Sequence, residues 1–274
     1  NVNSGSGDDT ITISGSNATI NSGAGNNIIN AGGNSSSITT GNNANTINVT
    51  GNYVTVRAGN GTDTIKVTGT NADIDSGDGN DYVSIASGAT SSSITSKAGN
   101  NTVISDLDKA KIIVGNGNNN VILNGALSSL VTGKGNNTIS VNGASSTITT
   151  GNGNNTVSVS GNYVTVKTGS GTDTIKVTGT NANIDSGAGN DNITASGANA
   201  TIKANSGDNK INSTSENSTI TVGEGANSIL LGGTESTLVT GGGNNTITAS
   251  GSSSTITTGD GDNLITTSGS STNV

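Results

Sequence analysis

Gly151-Asn152-Gly153-Asn154-Asn155-Thr156-Val157-Ser158-Val159-Ser160-Gly161-Asn162-Tyr163-Val164-Thr165-Val166-Lys167-Thr168 carries the plan of the whole chain. Two short alternating stretches, Thr156-Val157-Ser158-Val159 and Val164-Thr165-Val166-Lys167, are each bounded by glycine. Alternation with a period of two reads as β-strand with one face turned inward. The unit therefore holds two strands and two corners in 18 residues.

Outward from this stretch the unit repeats along the chain. The place of Asn155 recurs as Asp9, Asn27, Asn45, Asp63, Asp81, Asn101, Asn119, Asn137, Asp173, Asp191, Asn209, Asn227, Asn245 and Asn263. Every step is 18 residues except Asp81 to Asn101, which is 20. Two residues after each comes Ile or Val, from Ile11 to Ile265. The second strand has its own row, which runs Ile20, Ile38, Val56, Ile74, Ile94 and Ile112, with Leu130 next, and on to Val274. A fixed period of this length means one supersecondary unit stacked on copies of itself. The expected fold is all-β: a two-sheet parallel β-solenoid of the β-roll kind, 18 residues per coil and about fifteen coils. Residues 1–274 are expected to form a single continuous array, a rod of roughly 70 Å at ~4.8 Å per coil.

Small residues such as Ala18, Ser36, Ala72, Ala182 and Ala200 flank the second aliphatic row, as close-set sheets would require. One corner carries Gly-x-Gly, as in Gly59-Asn60-Gly61, where glycine permits positive φ or tight backbone approach. The other has a single glycine, as at Gly51 and Gly161. The Asp/Asn row follows the first corner. Asparagine there is suited to bonding the turn backbone and the asparagines above and below it, a neutral ladder. Aspartates stacked one coil apart repel unless something neutralises them.

Composition narrows the function. Hydrophobic residues make up 28% and aromatics 1%, so the core must be narrow. Proline is absent, in keeping with unbroken backbone pairing. There is no cysteine for disulfides and no histidine for general base or metal work. A net charge of −8 speaks against nucleic acid as a partner. No apolar run approaches the ~20 residues that cross a bilayer, so no membrane insertion is expected.

In Gly59 to Ile65, Gly77 to Val83, Gly169 to Ile175 and Gly187 to Ile193 the chain resembles the RTX repeats, whose nonapeptide is Gly-Gly-x-Gly-x-Asp-x-U-x with U a large aliphatic. The resemblance implies a parallel β-roll in secreted bacterial adhesins and surface proteins, with calcium held between turns by Asp and turn carbonyls. Two departures stand out. RTX rolls carry the motif at both corners and this chain at one; most of its Asp positions are Asn. Only Asp63 with Asp81, and Asp173 with Asp191, fall on neighbouring coils, so only those pairs could share a calcium ion in the RTX manner; the alternative is that these carboxylates merely interrupt the asparagine ladder, and the fold is expected to require no cofactor. The one-cornered pattern is also similar to ice-binding segments of bacterial adhesins. Outward Thr-x-Thr pairs occur at Thr147/Thr149, Thr219/Thr221 and Thr255/Thr257, but Arg57, Asp73, Lys167 and Lys203 interrupt the same rows.

A longer period overlies the first. Gly51-Asn52-Tyr53-Val54-Thr55-Val56 returns as Gly161-Asn162-Tyr163-Val164-Thr165-Val166, six coils or ~29 Å on. Ile104, Ile122, Ile113 and Val131 take outward phases, and Leu230 and Val239 recur six coils later, which suits side-by-side contact between copies. Neither end carries a recognisable cap, so the array is expected to continue or to join copies of itself end to end. Catalysis is not expected. Asp73 and Asp75 lie on an outward strand, Asn183 stands where the next super-repeat would need Asp, and the only aromatics are Tyr53, Tyr82 and Tyr163. The sequence thus points to an extracellular or cell-surface structural protein, an adhesin shaft or a filament subunit, with ice binding and an RTX-type calcium module as alternatives.

Overall fold

A computed structural model of the chain describes residues 1–86 and 91–274. Among the described residues there are thirty strands and no helix. They fall into two compact units, residues 1–134 and 135–274. Each is a parallel β-solenoid in which successive strands alternate between two sheets, so the expected fold is the observed one.

In the first unit one sheet runs from Val2–Asn3 to Ser129–Thr132 and the other from Thr10–Ile13 to Asn120–Leu123. Ile29 pairs with Ile47 and Ile47 with Ile65, each 18 residues on. The long step is also placed by pairing. Ile65 opposes Val83 at the usual interval, but Ile74 opposes Ile94 and Val83 opposes Val103 at 20. The step therefore lengthens between Ile85 and Ser93, and the strands on either side keep their pairing. A one-residue slip would turn every inward side chain outward, which the continuous row resists.

In the second unit one sheet runs from Thr138–Val141 to Leu264–Thr267 and the other from Thr147–Thr149 to Thr255–Thr257. Ile139 opposes Val157, and Ile148 opposes Val166. Typical strands such as Thr156–Val159 alternate exposed and buried along their length.

Both aliphatic rows are buried from Ile11 to Ile256, while Ile265 is half-buried and Val274 exposed; Ile47, Ile65, Ile74, Ile193 and Ile220 are fully enclosed. Burying each contributes ~1.5–3 kcal/mol before ordering entropy is set against it. A third inward row completes the core, held by Val49, Val67, Ile85, Leu123 and Leu231. Where that row falls to Ser105, Leu107 is buried beside it, its N–H 3.4 Å from the Ser105 hydroxyl. Outside, Ile113 and Val131 are register neighbours and both exposed, whereas Ile104 and Ile122 are half-buried.

Candidate functional site

The residues that carry chemistry in this chain lie at its corners, and the backbone there explains the composition. At the first corner the second glycine of Gly-x-Gly takes positive φ, 134° at Gly153. A Cβ there would lie 2.3 Å from the carbonyl oxygen of Gly135 in the preceding coil. At the second corner the division of labour differs. Gly161 is needed for close approach, since a Cβ would lie 2.5 Å from the Gly143 oxygen. The left-handed conformation falls two residues later, on Tyr163 at φ 58°. Tyr53, Leu127, Lys109 and Glu235 hold the same conformation in their own coils.

Stacked corners leave N–H groups pointing along the axis, and Asn and Asp side chains accept them. On the inner row, Oδ1 of each residue accepts the main-chain N–H of its counterpart in the preceding coil: Asn27 to Asn45, 3.2 Å; Asn209 to Asn227, 2.9 Å. The asparagine Nδ2 then turns back onto its own turn. For Asn45 it reaches the carbonyls of Asn43 at 2.9 Å and Gly41 at 3.3 Å. This is the neutral ladder expected from the sequence, and its asparagines from Asn27 to Asn245 are buried.

An outer row, one residue earlier, runs with the opposite polarity. The N–H of Asn154 donates to Oδ1 of Asn136, and that of Thr172 to Oδ1 of Asn154, each at 2.8 Å. A further row at the second corner links Thr70 to Asn52 and Thr180 to Asn162. Sequence reasoning missed both rows, although the Asn-Asn doublets at 100–101, 118–119, 136–137 and 154–155 signal the first of them.

The structure brings the four aspartates singled out by sequence together in their expected pairs. Asp63 N–H donates to Asp81 Oδ1 at 3.0 Å, and Asp173 N–H to Asp191 Oδ1 at 2.9 Å. All four side chains are at most 2% exposed. Oδ1 does what an asparagine Oδ1 does. The second oxygen of each has no partner. By register, the carbonyls that would receive an amide from Asp63 are those of Gly59 and Gly61, which are acceptors only. Burial pushes the Asp63 carboxyl up to about 6, against the bonds from Asn45 that hold it down. Burial also raises Asp81, where the Ser76 hydroxyl opposes it, and Asp191, where Ser186 does.

Calcium takes six to eight oxygens. Each pair offers two uncommitted carboxylate oxygens, and among the described residues no three Asp, Glu, His or Cys side chains come together. At an asparagine rung the amide fills the turn carbonyls, whereas at Asp63 those of Gly59 and Gly61 receive none from the rung.

Asp9, at the start of the same inner row, also has an enclosed Oδ2 without a partner, and other charges lie on the outer faces. Asp73 pairs with Arg57, and Asp75 lies 3.3 Å from Lys97. In the second unit Asp185 accepts Asn205 Nδ2 at 3.2 Å. An open depression lined by Ser140, Ser158, Ser160, Lys176 and Thr178 has hydroxyls and one ammonium group. No family model matches the chain, and no curated protein or solved structure matches it.

Proposed function

We propose that this chain is a structural repeat array acting outside the cell, as the shaft of a surface adhesin or a subunit of an extracellular fibre. The observation that carries the reading is the density of bonding from coil to coil. Between the coils of Asn155 and Asp173, both strands pair in register, the inner rung adds two bonds to one oxygen, and Asn154 and Asn162 each accept a corner N–H. Each such bond contributes ~0.5–1.5 kcal/mol net, and they are loaded together when the coils are pulled apart. The carboxylates of Asp73, Asp75 and Asp185 on the outer strand face are taken up by cations or an amide, which supports a role in extension over one in catalysis. Copies of the chain are the proposed partners, with Ile113 and Val131 as the side-by-side contact.

Electron microscopy of the purified protein, followed by single-molecule extension, tests the reading. Elongated particles or fibres of uniform width, yielding in coil-sized steps at high force, support it. Compact particles that unravel at low force reject it.

One observation favours a second reading, ice binding. Thr201, Thr219, Thr237 and Thr255 form an exposed column in register. The column beside it holds Lys203, Thr221, Val239 and Thr257, a less regular match to a lattice. Thermal hysteresis in a freezing assay would promote this reading over the first.

A further inference from the structure

We propose that Asp63, Asp81 and Asp191 sit in the ladder as neutral carboxylic acids standing in for asparagine, so that each unit loosens at its acidic rungs as the pH rises. The three share one geometry with Asp173, the remaining member of the two pairs. Oδ1 is committed to the same main-chain bond that an asparagine makes. Oδ2 is enclosed and unpartnered in all four. In an asparagine rung the atom at that place is a donor to two carbonyl oxygens of its own turn. An ionised carboxylate would point bare negative charge at acceptors; a carboxylic acid supplies one O–H for them. The remaining acceptor oxygen is unchanged, so the ladder continues through a protonated rung without altered spacing.

The surroundings give an ionised rung no relief. Asp63 faces Asn45 on one side and Asp81 on the other; Asp173 faces Asn155 and Asp191. Beyond Asp81 stands Asn101, and beyond Asp191 stands Asn209. The other charges acting on Asp81 are Asp75 and Asp78, both of the same sign, and no cation acts on Asp63, Asp81 or Asp191. Lys97, in the next coil, is engaged with Asp75. The Ser76 and Ser186 hydroxyls near Asp81 and Asp191 moderate the cost without supplying charge, and neither closes a hydrogen bond to the carboxyl: Ser76 Oγ donates to Ser96 Oγ at 2.9 Å, and Ser186 Oγ has no partner.

The sign follows from linkage. The folded chain holds protons that the unfolded chain releases near the ordinary aspartate value, so stability is greatest at low pH. It falls as pH rises from about 4 through about 6, the folded value at Asp63. Above that window the acidic rungs are ionised and each unit is at its loosest.

The test uses the full chain, its thermal melting followed from pH 4 to pH 8, with EDTA and separately with calcium chloride. It is compared with Asp63→Asn/Asp81→Asn/Asp173→Asn/Asp191→Asn. A control, Asp8→Asn/Asp106→Asn/Asp208→Asn/Asp262→Asn, removes four exposed charges instead. The expected result is a wild-type melting temperature that falls across the window equally in EDTA and calcium. The fourfold rung variant should lose most of that fall and melt several degrees higher than wild type at pH 7, beyond any shift in the control. Infrared spectra should show a protonated carboxyl band in wild type near pH 5 that the rung variant lacks. The proposal is overturned by a rung variant that melts no higher than the control at pH 7. It is equally overturned if calcium raises the wild-type melting temperature at pH 7 and the rung variant abolishes that rise, which would make the pairs ion sites.

Discussion

Asn155 is joined twice to one atom of Asp173: its main-chain N–H and its side-chain Nδ2 donate to the same Oδ1, at 2.7 and 2.9 Å. That oxygen belongs to the next coil, 18 residues on. The corner is therefore cross-braced by side chains where the strand ladder has ended, and backbone groups that would otherwise be orphaned are satisfied. A chain built this way needs Asn at its corners as much as Ile in its core.

Removing a rung should cost more than its exposure to water would suggest. Asn209→Ala deletes the acceptor for Asp191 N–H and the donor to Gly207 and Asn227. Stranding a buried N–H and carbonyl predicts a loss of about 1–3 kcal/mol, measurable by urea unfolding of the full chain.

Asn209→Asp should behave differently, because it keeps the acceptor and loses only the donor. At pH 7 it places a third carboxylate after Asp173 and Asp191, and the variant is expected to be less stable than wild type. The deficit should shrink as pH falls below about 5, since protonation restores a donor. Melting curves at pH 4.5 and pH 7 read the difference.

At the second corner the two backbone roles predict opposite responses to substitution. Gly161→Ala would force a Cβ to 2.5 Å from the Gly143 oxygen, and a loss of ~1–3 kcal/mol or more is expected. Tyr163→Gly two residues on relieves a left-handed tyrosine at φ 58° and should be neutral or stabilising by up to ~1 kcal/mol. Thermal melting of the two variants side by side checks the ordering.

Core truncation should be costly wherever the row is enclosed. Ile65→Ala and Ile193→Ala are each expected to lose about 2–5 kcal/mol, and the corresponding valine variants about 0.5–1.5. By contrast Arg57→Ala, which removes an exposed ion pair with Asp73, should cost ~1 kcal/mol or less, and that cost should shrink with added salt.

The sequence already contained the solenoid, because a row such as Ile29, Ile47, Ile65 and Val83 holds one phase and period-two alternation flanks it. The Asp/Asn row was legible for the same reason, and the pairing of Asp63 with Asp81 followed from step length alone. What could not be read was set by stacking. Nothing in the letters at Tyr163 or Leu127 favours a left-handed backbone; the corner imposes it on whatever residue stands there. The opposed polarity of the inner and outer rungs likewise depends on where each N–H points once coils superimpose. The 20-residue step was visible, but only strand register locates its lengthening between Ile85 and Ser93.

Lengthwise superposition of the coils is the central claim, and the lack of native cysteine makes it open to direct cross-linking. Thr156→Cys with Thr174→Cys places thiols on residues in register, ~4.8 Å apart between strands, within disulfide reach. Thr156→Cys with Lys176→Cys moves one partner two residues along the strand, beyond that reach. Tyr82→Cys with Thr102→Cys should bridge across the long step. Oxidation is predicted to close the first and third pairs and leave the second open. Closure of the second pair in place of the first, or of none, would contradict the account.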